Sequence, residues 1–403
     1  MSCWLHIIGI GEDGLDGLSA GARAQLEEAE VIFGGRRHLA FLADDDPRER
    51  RAWPSPFDAL IGQLRELKGR RVCVLASGDP LSFGVGRQLV AAFAADDIQV
   101  WPHLSAFALA RARLLWSEQD TVQLSIHGRP LSSLHGVLFD GVRILALSSD
   151  GDTPAEVAAL LCARGFGGSQ IRVLERLGGA GERVRSTSAE HFDLTDIHDL
   201  NVVAIECASD SAAQWSPVAG LPDNAFQHDG QLTKQVVRAA TLAALAPLPG
   251  ERLWDVGAGC GSIAIEWARA ARGAAAIALE PDSARCAMIA NNAVALGVES
   301  SVRIEAGRAP AALSALPAPD AVFVGGAVSE VSVLETCWDL LPEGGRLVSN
   351  AVTMQACQAL ASMHANVGGE MRQIAVSQTA SVGRFSVLKP AYPITQLIVT
   401  KSH

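Results

Sequence analysis

The sequence predicts an α/β protein of two successive domains, and three observations lead there. Short β-type runs alternate with stretches whose apolar residues recur at helical spacing, the pattern of a mostly parallel sheet covered by helices. That alternation breaks after Cys207 and starts afresh near Thr233. A chain of 403 residues also exceeds what one hydrophobic core usually organises.

Taken in order, "LHIIGI" (5–10), "VIF" (31–33), "RRVCVLAS" (70–77), "IQVWP" (98–102), "ILALSS" (144–149), "IRVLE" (171–175) and "NVVAIEC" (201–207) read as strands. Between them "SAGARAQLEEA", "GVGRQLVAAFA" and "TPAEVAALLCARG" carry helical periodicity. The stretch that follows, "ASDSAAQWSPVAGLPDNAF", is rich in serine, proline and glycine and has no sustained period. A linker is therefore expected at 208–222, between domains at 1–207 and 223–403. The second series runs helix 233–245, strand 252–256, helix 262–271, strand 275–279, helix 282–296 and strand 302–305. It continues with strand 321–324, a helix after Ser329, strand 346–350 and another helix. Two last strands, near 371–377 and 396–400, lie too close for a helical crossover, so an antiparallel pair is expected.

Bulk composition narrows the function. A formal charge of −11 argues against a nucleic-acid partner, because neutralising phosphates needs a basic footprint. It leaves room for an acidic small molecule held by a local cluster of Arg, Lys or His. The eight cysteines form no Cys-x-x-Cys pair, so neither a zinc site nor a disulfide framework is expected. No basic segment precedes the apolar run 5–10, and no apolar stretch reaches membrane-spanning length, so a cytoplasmic protein without a membrane partner is expected.

The sharpest motif is Asp255-Val256-Gly257-Ala258-Gly259-Cys260-Gly261, between a strand and a helix. Glycines there permit a tight turn and let a ligand approach the backbone. A dinucleotide site would space them Gly-x-Gly-x-x-Gly; here the third comes one residue early, which counts against a two-domain NAD-dependent oxidoreductase. Further on, "IALEPD" sets Glu280 at the end of the next strand, where a carboxylate can accept two ribose hydroxyls, and "EAGRAP" sets Ala309 where an adenine would lie. This set resembles the class I S-adenosylmethionine methyltransferases, of Rossmann-like fold.

The first domain opens on a different turn, Gly9-Ile-Gly11-Glu-Asp-Gly14, and adds "ASGDPLSFGVG" (76–86), "GGRRHLAFL" (34–42), "LSIHGRP" (124–130), "SSDGDTPAEVA" (148–158) and "ERLGGAGERV" (175–184). Together these resemble the tetrapyrrole methylase family, the two-lobed class III methyltransferases, in its precorrin carbon-5 branch. The resemblance implies cofactor contacts at Gly78, Asp79 and Pro80, with weaker ones at Ser105 and Ala106 and around Thr153 and Pro154. Where the family often has two hydroxyl residues at 105–106, this chain has Ser-Ala.

With the first half placed, "GQLTKQVVRAATLAAL" (230–245) and "DAVFVGGAVSE" (320–330) make the second half similar to the precorrin carbon-15 methyltransferases. That similarity puts Thr233, Gly257 to Gly261, Glu280 and Ala309 on cofactor contacts. The whole chain thus resembles the fused carbon-5 and carbon-15 methyltransferases of cobalamin biosynthesis. The resemblance implies a bifunctional enzyme that methylates a precorrin at both carbons, removes the ring C acetate carboxyl and gives precorrin-8. It also implies two S-adenosylmethionine sites per chain, a metal-free substrate and a homo-oligomer.

A macrocycle bearing many carboxylates calls for cationic hosts. The candidates are Arg36, Arg37, His38, His127 and Arg129 in the first domain, and Lys234, Arg238 and Arg384 in the second. Asp79 or Glu330 could manage a proton near a meso carbon, but no triad or metal cluster is recognisable and no catalytic residue is assigned. A non-catalytic tetrapyrrole carrier is the remaining alternative; the intact glycine turns and Glu280 count against it.

Overall fold

Runs of β-branched and aliphatic residues form the strands, and a computed structural model shows how they assemble over residues 3–209 and 214–402. The chain divides into two compact units, Met1–Arg129 with Val137–Ala213, and Pro130–Gly136 with Gln214–His403.

The first unit contains two sheets. Its opening lobe runs β1 (Leu5–Ile10), α1 (Ala20–Glu28), β2 (Val31–Gly34), α2 (Arg36–Leu39), β3 (Glu49–Ala52), α3 (Ala59–Glu66), β4 (Val72–Ser77), α4 (Gly86–Ala92) and β5 (Ile98–Trp101). These five strands are all parallel, in the order β3-β2-β4-β1-β5. Helices cover both faces, so β1, an interior strand beside the central β4, is buried at every residue. Sequestering each of Ile7, Ile8 and Ile10 contributes about 1.5–3 kcal/mol.

The other lobe runs α5 (Ala106–Leu114), β6 (Thr121–Ser125), β7 (Arg143–Leu147), α6 (Thr153–Ala163), β8 (Gln170–Glu175), β9 (Arg183–Ser188) and β10 (Asn201–Glu206). Its strand order is β6-β7-β10-β8-β9, and β10 runs antiparallel to both neighbours. This sheet is mixed, a departure from the mostly parallel expectation. The edge strand β9, "RVRSTS", carries no apolar alternation because its charged side chains serve the neighbouring carboxylate: Arg183 and Arg185 both donate to buried Glu175.

The second unit runs α7 (Gln235–Leu245), β11 (Arg252–Val256), α8 (Ser262–Ala270), β12 (Ala275–Leu279), α9 (Ser283–Ala295), β13 (Val302–Glu305), β14 (Ala321–Val324), α10 (Val331–Leu340), β15 (Arg346–Ala351), α11 (Met354–Val367), β16 (Glu370–Ile374), β17 (Ser377–Val382), β18 (Phe385–Pro390) and β19 (Ile394–Thr400). Seven strands make one sheet, β13-β12-β11-β14-β15-β19-β16, with only β19 antiparallel. The expected antiparallel pair is therefore β16 with β19. Between them lies a separate hairpin, β17–β18, which the sequence reading passes over. Among the described residues no helix is long and apolar enough to cross a membrane.

Residues 210–213 of the expected linker lie outside the described residues. The part from Gln214 to Pro222 is structured within the second unit. Leu221 is buried in its core, and the N–H groups of Gly220 and Leu221 donate to the Glu266 carboxylate. Lack of periodicity marks a segment without helix or strand; it does not mark one without burial.

Candidate functional site

In the first unit, β4 ends in a Gly-Asp-Pro turn. Gly78 has φ +56°, and a Cβ there would sit 3.1 Å from the Leu104 carbonyl and 3.2 Å from Ser105 Cα, so only glycine lets these two loops approach. The Gly78 N–H donates to the Ile10 carbonyl at 2.9 Å, fixing the turn to the end of β1. A cleft of about 600 Å³ opens beside the turn. Of the expected residues, Gly78, Asp79, Ser105, Ala106, Arg37, His38 and His127 line it.

Several of these already have partners. The Asp79 carboxylate accepts the Leu81 N–H at 2.9 Å. Ser105 caps α5, its hydroxyl accepting the Ala108 N–H at 3.1 Å. Pro80 is buried behind the turn, where its carbonyl accepts from Gly86. Thr153 and Pro154 are buried at the start of α6, and the Thr153 hydroxyl donates to Asp150 at 2.8 Å; neither lines the cleft. Thr153 is thus a helix-start residue, while Ser148 and Ser149 just before it line the cleft. Arg36 is exposed outside the lining, and Arg129 lies over the Phe83 ring at 5.3 Å.

His38 is buried, and burial pushes its imidazole down to about 4, with the neighbouring Arg37 charge adding to the effect. It is neutral at physiological pH and cannot pair with a substrate carboxylate as a cation. Its Nε2 lies 3.0 Å from Arg37 Nη2 and 3.1 Å from Ser77 Oγ. Glu12, which the sequence reading passed over, also lines the cleft; an acidic residue inside a glycine turn was the available signal.

In the second unit the glycine turn follows β11. Gly257, Gly259 and Gly261 have φ of +72°, +59° and +80°. A Cβ on Gly257 would lie 2.6 Å from Gly326 Cα, in the Gly-Gly that follows β14. Glu280, buried at the end of β12, accepts the Gly259 N–H at 2.8 Å and the Asp282 N–H at 3.1 Å, one on each oxygen. Each oxygen keeps a lone pair for a further donor. Ala309 is buried in the cluster that contains Leu279 and Val256. Cys260 is buried, and burial raises its thiol.

Asp255 precedes these glycines and is almost wholly buried. Its Oδ2 accepts the Ala264 N–H at 3.0 Å in the first turn of α8, while Oδ1 has no partner among the described residues. Burial pushes the carboxyl up to about 7, against the lowering by the Ala264 N–H and with a further rise from Glu280. A raised folded-state value means that the protonated form stabilises the fold below the ordinary value. This contribution is lost as pH rises through about 7. Wild type is therefore expected to lose on the order of 4 kcal/mol relative to Asp255→Asn across that window, read by denaturant titrations at acid and alkaline pH. Parallel pH profiles for the two proteins would refute it.

The expected substrate cations of this unit fare differently. Arg238 is 0% exposed: Nε donates to Glu266 at 2.5 Å, Nη1 to Asp223 at 3.3 Å and to the Thr233 carbonyl, and Nη2 to the Leu221 carbonyl. It cannot reach a substrate, because its fork is spent holding the entry segment 221–233 to α7 and α8. Thr233 is tied into this network through that carbonyl. Lys234 pairs with Asp223 at 3.6 Å, and Glu330 pairs with Arg308 at 2.9 Å. Arg384 sits in the turn of the β17–β18 hairpin, over the Phe385 ring at 5.0 Å.

Two family models match the chain: Tetrapyrrole (Corrin/Porphyrin) Methylases over residues 4–193, and Precorrin methyltransferase domain over residues 224–401. Precorrin-6Y C(5,15)-methyltransferase [decarboxylating] from Sinorhizobium sp is 46% identical over 402 residues, covering 100% of this chain and 97% of that protein. The protein of the same name from Mycobacterium tuberculosis is 42% identical over 398 residues, covering 98% of this chain and 99% of that protein. The solved C-terminal domain of precorrin-6Y C5,15-methyltransferase from Rhodobacter capsulatus is 42% identical, with a TM-score of 0.44 over 46% of this chain and 100% of that one. Two glycine turns of unlike geometry, each in its own unit, thus occur in a chain whose full length aligns with these proteins, and the chain belongs to the precorrin-6Y C(5,15)-methyltransferase (decarboxylating) family.

Proposed function

We propose that the two units divide two S-adenosylmethionine-dependent methylations of one precorrin. The unit built on residues 1–207 serves carbon 5. The unit built on 223–403 serves carbon 15 and the loss of the ring C acetate carboxyl as carbon dioxide. The observation that carries this reading is a tight glycine turn in each unit, at Gly78 and at Gly257 to Gly261, with positive φ at Gly78, Gly257, Gly259 and Gly261 and a backbone approach that leaves too little room for a Cβ at Gly78 and Gly257.

Gly78 and Asp79 would hold the donor in the first unit, with Ser105 and Ala106 forming the facing wall. In the second, the turn from Gly257 to Gly261 would hold it, with Glu280 taking the ribose hydroxyls on its free lone pairs. Ala309 would flank the adenine. When bound, S-adenosylmethionine supplies a methyl group made electrophilic by its sulfonium, with a neutral sulfide as leaving group. The residues around it therefore act by holding an enamine-like meso carbon in line and excluding water. On decarboxylation, the electron pair of the broken carbon–carbon bond passes into the conjugated ring system of the substrate, which is the sink. Arg37 and His127 face the cleft as hosts for substrate carboxylates.

Cytoplasmic location belongs to the same reading, supported by eight free thiols, as a reducing compartment keeps them. So does homo-oligomerisation, supported by the exposed apolar side chains of Val382, Phe385 and Leu388 on the β17–β18 hairpin.

Equilibrium dialysis of the full chain against labelled S-adenosylmethionine is expected to give two sites per chain. Gly78→Val, which drives side-chain atoms into the Leu104 carbonyl and Ser105, is expected to leave one. Its product should lack the methyl at carbon 5 and still have lost carbon dioxide. A Gly78→Val chain that binds two equivalents and methylates carbon 5 would remove the first unit from this scheme.

A further inference from the structure

A cleft that receives a molecule bearing several carboxylates contains a carboxylate of its own. The Glu12 side chain is 6% exposed and lines the cleft of the first unit. Its Oε1 accepts from Arg37 Nη1, on α2 of the parallel lobe, and its Oε2 accepts from Arg176 Nε at 3.0 Å, just after β8 of the mixed-sheet lobe. One buried group thus joins guanidinium groups from the two lobes that flank the cleft.

Burial alone would raise the Glu12 carboxyl, but Arg176 and Arg37 outweigh it and hold the group below the usual carboxylate range. Glu12 is ionised and His38 beside it is neutral, so the cluster of Glu12, His38, Arg37 and Arg176 keeps one net positive charge. Arg37 is braced further by Ser77 Oγ and His38 Nε2, both 3.0 Å from its Nη2. Its Nε–H and one Nη1–H stay open to a ligand. The Nη groups of Arg176 donate to no protein acceptor among the described residues, and that side chain is 44% exposed. Arg176 also has φ +48°, a left-handed backbone that a non-glycine residue adopts only when its surroundings impose it.

We propose that Glu12, anchored by Arg176 of the other lobe, is a positioning residue that aims Arg37, which lines the cleft, at a carboxylate of the tetrapyrrole. This rests on the reading of the cleft as the carbon-5 site. A planar guanidinium recognises a carboxylate through paired donors, and its orientation must be set before the ligand arrives for that geometry to help. Splitting the two Glu12 oxygens between two arginines, one from each lobe, fixes the carboxylate and with it the Arg37 fork, whose remaining donors are left to the substrate.

Steady-state kinetics of carbon-5 methylation by the full chain, at saturating S-adenosylmethionine, test this. Glu12→Gln keeps the shape but removes the charge that holds both cations. The tetrapyrrole KM is expected to rise roughly tenfold while kcat stays within about threefold and the S-adenosylmethionine Kd is unchanged. Glu12→Asp keeps the charge but is one methylene too short to span both arginines, so its KM should fall between the two. An unchanged or lowered KM in Glu12→Gln, or a kcat loss at constant KM, overturns the proposal. Should that variant not fold, Arg176→Gln, at an exposed side chain, must show the same KM rise; an unchanged KM there overturns it equally. Failure of the underlying reading looks different: Gly78→Val would then still methylate carbon 5, whatever Glu12 does.

Discussion

Replacing Arg238 by alanine is expected to destabilise the second unit by about 3–5 kcal/mol, because it strands a buried carboxylate. Glu266 is 2% exposed and would keep only the N–H groups of Gly220 and Leu221. The carbonyls of Leu221 and Thr233 would lose their Arg238 donor in the same step, and Asp223 would keep only the Gln235 N–H and Lys234. The guanidinium also lies over the Phe226 ring at 4.8 Å, so the truncation leaves a void beside an aromatic core residue. For a unit of this size the loss corresponds to a melting temperature lower by about 10 °C. Calorimetry of the full chain reads it as a shift of one transition, with the first unit's transition unmoved. Arg238→Lys keeps the charge but not the fork, and its loss should be smaller. A melting curve for Arg238→Ala that overlays wild type would show that the network is not what holds the entry segment.

The second large effect is expected at Gly257. A valine there meets the Gly326 backbone, its Cβ at 2.6 Å from Cα and 2.8 Å from N, and φ of +72° is a conformation β-branched residues avoid. Both obstacles are backbone, so no rotamer change relieves them and the turn itself must move. Displacing it also removes the Gly259 N–H that orients Glu280. If this turn holds S-adenosylmethionine as proposed, its affinity there is expected to fall by at least about 100-fold, some 3 kcal/mol, measured by calorimetric titration. The product made by Gly257→Val should carry the carbon-5 methyl and retain both an unmethylated carbon 15 and the ring C acetate. A product lacking the acetate carboxyl would separate decarboxylation from the donor site proposed in the second unit.

The strands of the second unit illustrate what local pattern conveys. β12 and β14 occupy the residues that their apolar runs predict, because a strand buried on both faces is apolar nearly throughout, whereas β13, an edge strand of sequence Val-Arg-Ile-Glu, is buried only at Val302. The hairpin β17–β18 has no such signature: it is a separate two-stranded sheet whose strands are almost wholly exposed, so no buried face imposes a pattern on its residues. The direction of β10 was equally hidden, since an antiparallel strand between two others has the same composition as a parallel one.

Among the site residues the same boundary recurs. Three glycines at one-residue intervals between a strand and a helix, with a carboxylate ending the next strand, can be read from sequence because their function is a local backbone geometry. Whether an arginine is a substrate host or a buried strut cannot, because both need the same side chain. Arg238 is wholly buried between Glu266 and Asp223, whereas Arg37 is part-exposed beside Glu12 and lines the cleft. By itself, then, the sequence determined two α/β units, their order and a tight glycine turn in each, since these follow from periodicity and steric limits within a few residues. Tertiary structure alone decided which charges are buried, which are paired and which face the cleft, because charge pairing depends on distances between groups that lie from 15 to 164 positions apart along the chain.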